Sequence, residues 1–248
     1  MIVANAFETR GDHQKNWRPQ PVLNRDLLAM GGAEELVRRD DPAVRVLDEA
    51  QRRASLEAFL KTRPSGPVWI FAYGSLIWNP AMKTAEARVA RIDGLHRSFC
   101  LSMTVGRGTP DMPGLALGLD EGGSCLGMAY RIADDDLATE LPILWGREML
   151  LGGYSPQWVE VRDRNGTVFG HAIAFVVDRQ DRLYAGKLAS TQVASRLASA
   201  AGSWGTAADY LFRTRDALRM HKIPDAALEG LSLLVEVFQS DDDLADAA

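Results

Sequence analysis

A short apolar run that passes straight into a glycine-centred polar loop, Val68-Trp69-Ile70-Phe71-Ala72-Tyr73-Gly74-Ser75-Leu76-Ile77-Trp78-Asn79-Pro80, constrains this chain more than any other stretch of it. Residues 68–73 are continuously apolar and aromatic-rich, the pattern of a strand buried on both faces. Gly74 removes the side chain that would hold a ligand away from the main chain, so the exit of the strand is a place where backbone can approach a small molecule. A strand and turn with no ligand is the plainer reading of the same residues.

A chain of 248 residues that is 46% hydrophobic and 25% charged can bury a full core as one large domain with appendages. Its net charge of −5 offers no basic stripe to neutralise phosphates, which argues against a nucleic-acid partner and, more weakly, against anionic membranes. The two cysteines, Cys100 and Cys125, have neither disulfide-framework nor zinc-knuckle spacing, which suits a reducing compartment. No stretch has the apolar length of a signal peptide or a membrane span, so the expected location is the cytoplasm.

Residues 1–22 are polar and hold Pro19 and Pro21, as in an extended arm. Leu27, Leu28, Leu36, Val44, Leu47, Leu56 and Leu60 then recur at helical spacing, broken at Gly31, Gly32 and Pro42, which predicts a helical extension up to residue 65. From 66 to 237 the texture is that of one α+β domain. Short apolar runs at 68–73, 87–92, 97–104, 115–119 and 125–132 predict strands; 137–151 predicts a helix; 158–162 and 167–177 predict a hairpin turned at Asn165-Gly166. Helical periodicity returns after Ser190, and residues 238–248 read as a polar tail.

Within the predicted helix 137–151, Leu137, Leu141, Leu144 and Glu148 fall within about 60° of one another at 3.6 residues per turn. Glu148 therefore shares the apolar stripe. A carboxylate there loses hydration, its pKa rises and it becomes a better general base. Pro142 loosens the phase of this argument, and a surface pair with Arg147 is the alternative it leaves open.

Together, Tyr73-Gly74-Ser75-Leu76-Ile77-Trp78 and Arg147-Glu148, with Gly153-Tyr154 shortly after, resemble the ChaC-like γ-glutamylcyclotransferases that act on glutathione. The likeness continues at Arg97 and Phe99, Arg107-Gly108-Thr109-Pro110, Pro113-Gly114, Cys125, Gly127 and Tyr130. It resumes at Tyr184-Ala185-Gly186-Lys187-Leu188, Gly205-Thr206 and Tyr210-Leu211, covering about residues 66–235. Ala72 departs from the glycine that many relatives carry there, and the spacing from Glu148 to Tyr154 varies in the family.

The resemblance implies a mixed β-barrel or sheet core with surrounding helices, no cofactor and no metal. It implies cleavage of glutathione, a small-molecule partner, to 5-oxoproline and cysteinylglycine by attack of the substrate's own α-amine on its γ-carbonyl. Glu148 would be the base. Ala72, Tyr73, Gly74, Ser75, Leu76 and Ile77 would hold the γ-glutamyl group, chiefly through backbone N–H groups. Arg97 and Arg107 would bind substrate carboxylates, and Tyr154 would orient Glu148 or the substrate. Oligomeric state is left open.

Other readings compete. Gly123-Ser124-Cys125-Leu126-Gly127 has the outline of a nucleophile elbow, but residues 128–132 are strand-like where an elbow leads into a helix. Gly106 with Gly108, and Gly186-Lys187-Leu188, fail the phosphate-loop patterns. His13, His96, His171 and His221 show no ligand spacing. Two further readings remain: a γ-glutamyl-ligand-binding or regulatory protein without turnover, and a cyclotransferase for other γ-glutamyl amines.

Overall fold

The run that opens the sequence argument forms a strand, β1 (Val68–Ala72), with every residue buried. In the computed structural model the described residues are 23–246, so the expected arm at 1–22 lies outside them. β1 pairs antiparallel with β3 (Gly114–Arg131) on one side and parallel with β5 (Val168–Val177) on the other, so neither of its edges is free. β2 (Glu86–Met103) and β4 (Tyr154–Arg162) complete a closed barrel in the order β1-β3-β2-β4-β5. The core is α+β, as the residues and the resemblance predict.

Four of the expected short strands are really two long ones. The runs at 87–92 and 97–104 join in β2 across a bulge between Asp93 and Leu95, and those at 115–119 and 125–132 join in β3. Between the runs Asp93 still pairs with Ser124 and Leu95 with Glu121, while Glu121, Gly122, Gly123 and Ser124 are all exposed. Loss of burial had been read as loss of strand.

Before the barrel come α1 (Arg25–Ala29), α2 (Gly32–Asp40) and α3 (Glu49–Leu60). Gly31 separates the first two in the left-handed region at φ 72°. α4 (Leu137–Glu148) holds Pro142 in its second turn, where the missing N–H removes one bond near the start and leaves the later phase intact. Leu141 and Leu144 are accordingly buried on one stripe.

After the hairpin of β4 and β5, whose turn holds Gly166 at φ 86°, come α5 (Ser190–Ser199), β6 (Ala201–Gly202), β7 (Gly205–Thr206), α6 (Ala207–Met220) and α7 (Ala226–Asp246). α7 continues through residues 238–246, where a polar tail was expected. No glycine or proline interrupts that stretch, and polarity by itself does not end a helix. Among the described residues no helix is long and apolar enough to cross a membrane.

Candidate functional site

β1 ends at Ala72, and the chain turns through Gly74 into a single 3-10 turn, Ser75–Ile77. A Cβ at Gly74 would lie 2.9 Å from Tyr210 Oη, so glycine is what lets α6 bring this phenol against the loop. Ile77 N–H donates to Gly74 O at 3.0 Å and Asn79 N–H to Ser75 O at 2.8 Å, closing the turn. Among the described residues, no acceptor meets the N–H groups of Gly74, Ser75 and Leu76.

The C-terminal end of α4 is fastened to this loop. Arg147 donates from Nη2 to Ser75 Oγ at 2.9 Å and from Nη1 to Asn79 O at 2.5 Å. Its Nε lies 3.0 Å from Glu148 Oε1, an ionic contact whose angle does not make a hydrogen bond, and Oε1 is buried with no hydrogen-bond partner among the described residues. The Glu148 side chain is only 12% exposed, so this is no surface pair. Burial pushes its pKa up from 4.5, and the Arg147 charge offsets only part of that.

Gly152 and Gly153, at φ 78° and 80°, turn the chain from α4 into β4 and deliver Tyr154 to the same place. Tyr154 donates to Leu117 O at 3.3 Å, and Tyr73 to Phe175 O at 2.9 Å. Burial drives both phenols well above the ordinary tyrosine range, and the Glu148 charge adds to the effect at each. Tyr210 is pushed up to about 12, again mainly by burial. Three neutral phenols thus lie within electrostatic reach of one carboxylate.

Glu148, Tyr154 and Tyr210, with Tyr73 behind them in the core, border a cavity of about 210 Å³, well beyond the roughly 10–15 Å³ that admits one water. Ser75, Asn79, Arg147, Glu148, Tyr154 and Tyr210 line its polar side. Arg107 and Arg213 stand at its edge and share one carboxylate: Arg107 Nη1 is 3.0 Å, and Arg213 Nε 2.9 Å, from Asp209 Oδ2. Both guanidinium groups also lie over the Trp78 ring, at 5.9 and 5.7 Å. Two cations against one anion leave a positive surplus, suited to a substrate carboxylate.

The structure brings Ser75, Arg107, Glu148 and Tyr154 to one cavity. Ala72, Leu76 and Ile77 bury their side chains in the barrel core, leaving only their backbone to serve the loop. Arg97 is not brought there. Its guanidinium donates to Tyr73 O at 2.5 Å and Leu126 O at 2.6 Å, and pairs with Asp225. It supports the loop from behind: Leu101 and Met103 of the same strand line the cavity, and the bulge between Phe99 and Leu101 breaks the alternation that would otherwise put Arg97 on their face.

Sequence reasoning missed Arg147 as the fastener of the loop, Tyr210 as its neighbour and Arg213 at the edge. Tyr210 enters the sequence argument only within the family resemblance; it lies at 8% exposure, and nothing local marks its hydroxyl as different. Among the described residues no group of three or more His, Cys, Asp or Glu is arranged to hold a metal ion.

The chain belongs to the ChaC-like protein family, whose match spans residues 68–238. It is 42% identical over 187 residues to the glutathione-specific γ-glutamylcyclotransferase of Escherichia coli K12, covering 75% of this chain and 80% of that protein. It is 31% identical over 172 residues to glutathione-specific γ-glutamylcyclotransferase 1 of Homo sapiens, covering 68% and 77%. A crystal structure of a glutathione-specific γ-glutamyl cyclotransferase from yeast shares the fold, with a TM-score of 0.62 at 21% identity over 71% of this chain and 98% of that one.

Proposed function

We propose that this protein cleaves glutathione to 5-oxoproline and cysteinylglycine by intramolecular ring closure, with Glu148 as the proton carrier. The α-amine of the γ-glutamyl group attacks the γ-carbonyl carbon, a C–N bond forms, and the amide C–N bond to cysteine breaks. Nucleophile and electrophile already share one molecule, so holding the chain folded supplies much of the rate. What remains is proton movement and charge stabilisation.

The observation that carries this reading is the buried Glu148 carboxylate, with Oε1 lacking a hydrogen-bond partner, at the polar side of a cavity of substrate size. An ammonium group meeting that oxygen would satisfy it and lose a proton to it. Glu148 then returns that proton to the departing amide nitrogen and relays a second one from the attacking nitrogen, so the lactam keeps one N–H, the released amine leaves as an ammonium, and one carboxylate serves every transfer. The unpartnered N–H groups of the Gly74 loop and the neutral phenol of Tyr210 are donors for the carboxylate and the developing oxyanion, while Tyr154, its O–H given to Leu117 O, shapes the same side of the cavity. Arg107 and Arg213 attract the substrate's far carboxylate. We place the reaction in the cytoplasm, where the substrate persists as a thiol.

The test incubates purified protein with glutathione, γ-glutamyl-alanine and γ-glutamyl-lysine, measures 5-oxoproline, and repeats the assay with Glu148→Gln. Release from glutathione that disappears in the variant supports the reading. Saturable glutathione binding without 5-oxoproline overturns it.

A further inference from the structure

The helical extension does more than precede the barrel. Ala33 and Val37 lie four residues apart on α2, hence on one face, are 3% and 1% exposed, and line the cavity together with Leu23. They pack in an apolar cluster with Leu28, Val44, Val105, Ile143 and Leu150, separate from the barrel core. Val105 and Leu150 line the cavity too. This cluster therefore presents an apolar side to the site, and four of its seven buried residues, Leu28, Ala33, Val37 and Val44, come from upstream of position 68, where the family match begins.

Polar clamps hold the segment in place at both ends. Arg25 grips the fully buried Glu140 through Nη2 at 2.6 Å and Nε at 3.1 Å, and Glu140 also accepts from Lys83 N–H at 3.1 Å. Asn79 Nδ2 donates to Leu23 O at 3.0 Å, while Asn79 O receives Arg147. At the other end, Asp40 accepts from Gly106 N–H and Ser203 Oγ, and Asp41 accepts from Thr104 Oγ1 at 2.8 Å. Of these partners Asn79 lines the cavity, Thr104, Gly106 and Ser203 are chain neighbours of the lining residues Met103, Val105, Arg107 and Trp204, and Glu140 lies in the first turn of α4.

A γ-glutamyl group brings an ammonium, a carboxylate and two methylenes, so its charged ends require the side that holds Ser75, Arg147 and Glu148. The apolar side faces what is attached to it. Resting on the γ-glutamyl reading of this site, we propose that residues 23–41 form a wall of the substrate cavity. Through Ala33 and Val37, this wall limits the size of the side chain on the residue joined to the γ-glutamyl group. A cysteine side chain fits; a bulky S-substituent meets α2.

The experiment compares kcat/KM for glutathione and S-benzylglutathione in the wild type, Val37→Ala, Ala33→Phe and Arg25→Met, each checked for folding by its thermal melt. Val37→Ala removes wall volume, and Arg25→Met releases the clamp without touching the cavity. Each is expected to raise the ratio of bulky to native substrate by about tenfold, the scale at which an apolar pocket discriminates small differences in bulk. Ala33→Phe should lower glutathione kcat/KM by about tenfold, chiefly through KM. A substrate ratio unchanged in whichever of Val37→Ala and Arg25→Met folds overturns the proposal. If the wild type releases no 5-oxoproline, it is the cyclotransferase reading that fails; the wall is then judged by the ratio of calorimetric Kd values for the same two peptides, on the same criterion.

Discussion

Arg147 Nε stands 3.0 Å from Glu148 Oε1 while both terminal nitrogens of the same guanidinium are committed to Asn79 O and Ser75 Oγ. One side chain thus shapes the loop and sets the electrostatics of the carboxylate. The adjacent positive charge restrains the upward push of burial without cancelling it, so the carboxylate stays more basic than an exposed glutamate. Replacing it by glutamine keeps the shape and removes the base. Glu148→Gln should lower kcat by about 10² to 10⁴-fold while glutathione still binds. Steady-state 5-oxoproline release, with calorimetry for binding, checks both halves; activity within a few-fold of wild type would refute the assignment.

The same shift has a pH signature. The acid limb of kcat/KM should have its midpoint above 4.5, the ordinary value for the group, because the proposed reaction needs the ionised carboxylate. Stability runs the other way. A pKa raised in the folded state contributes stability that is fully present below the unfolded value and lost as pH rises through the folded value. Wild type should therefore lose Tm relative to Glu148→Gln as pH rises from 4.5 through that window. Parallel Tm curves for the two proteins would contradict the burial argument.

Gly74→Ala should place a methyl group 2.9 Å from Tyr210 Oη. Overpacking of this kind costs about 1–3 kcal/mol, so Tm and kcat/KM should both fall. Tyr210→Phe in the same chain removes the offending oxygen. The double variant should recover much of the lost Tm, and a simple sum of the two losses in thermal melts would show that the close approach is not the cause.

Arg97 and Arg107 should separate cleanly. Removing Arg97 leaves Asp225 and two carbonyls without their donor in a place where the arginine is 5% exposed, so Arg97→Ala should destabilise the fold by about 3–5 kcal/mol. Arg107→Ala touches the edge of the cavity and should raise KM with little change in Tm. Denaturant unfolding and kinetics on both variants give the comparison; a KM effect confined to a stable Arg97→Ala would reverse the roles.

Cys125→Ser should leave turnover largely intact. The thiol is 3% exposed and buried against Leu126, and burial pushes its pKa up, the opposite of what an attacking thiolate needs. Cys100 is pushed up to about 12 by burial and the nearby Asp120 charge. Loss of 5-oxoproline release in a folded Cys125→Ser would restore the nucleophile-elbow reading.

Elements with strong local signals were legible in the sequence. The apolar run of β1, the Asn165-Gly166 turn and the stripe that carries Glu148 depend on neighbours close in the chain, and all appear where spacing puts them. Strand length was not legible, because β2 and β3 continue through Asp93 and Glu121 where pairing persists after burial ends. Arg97 illustrates the limit for the site. Its type suits a carboxylate, but which way a strand residue points depends on register, and register is a tertiary property. The wall from α2 was equally hidden, since Ala33 and Val37 look like any amphipathic helix face.

Tyr154 and Val177 are paired at the open end of the β4–β5 hairpin, and Asn165-Gly166 closes the other end. Nine residues of extended chain put that turn about 30 Å from the cavity. The hairpin therefore has a reactive end and a silent end, with the exposed turn at the silent one. A fluorophore or short affinity peptide spliced between Asn165 and Gly166 would report on the enzyme without entering its chemistry.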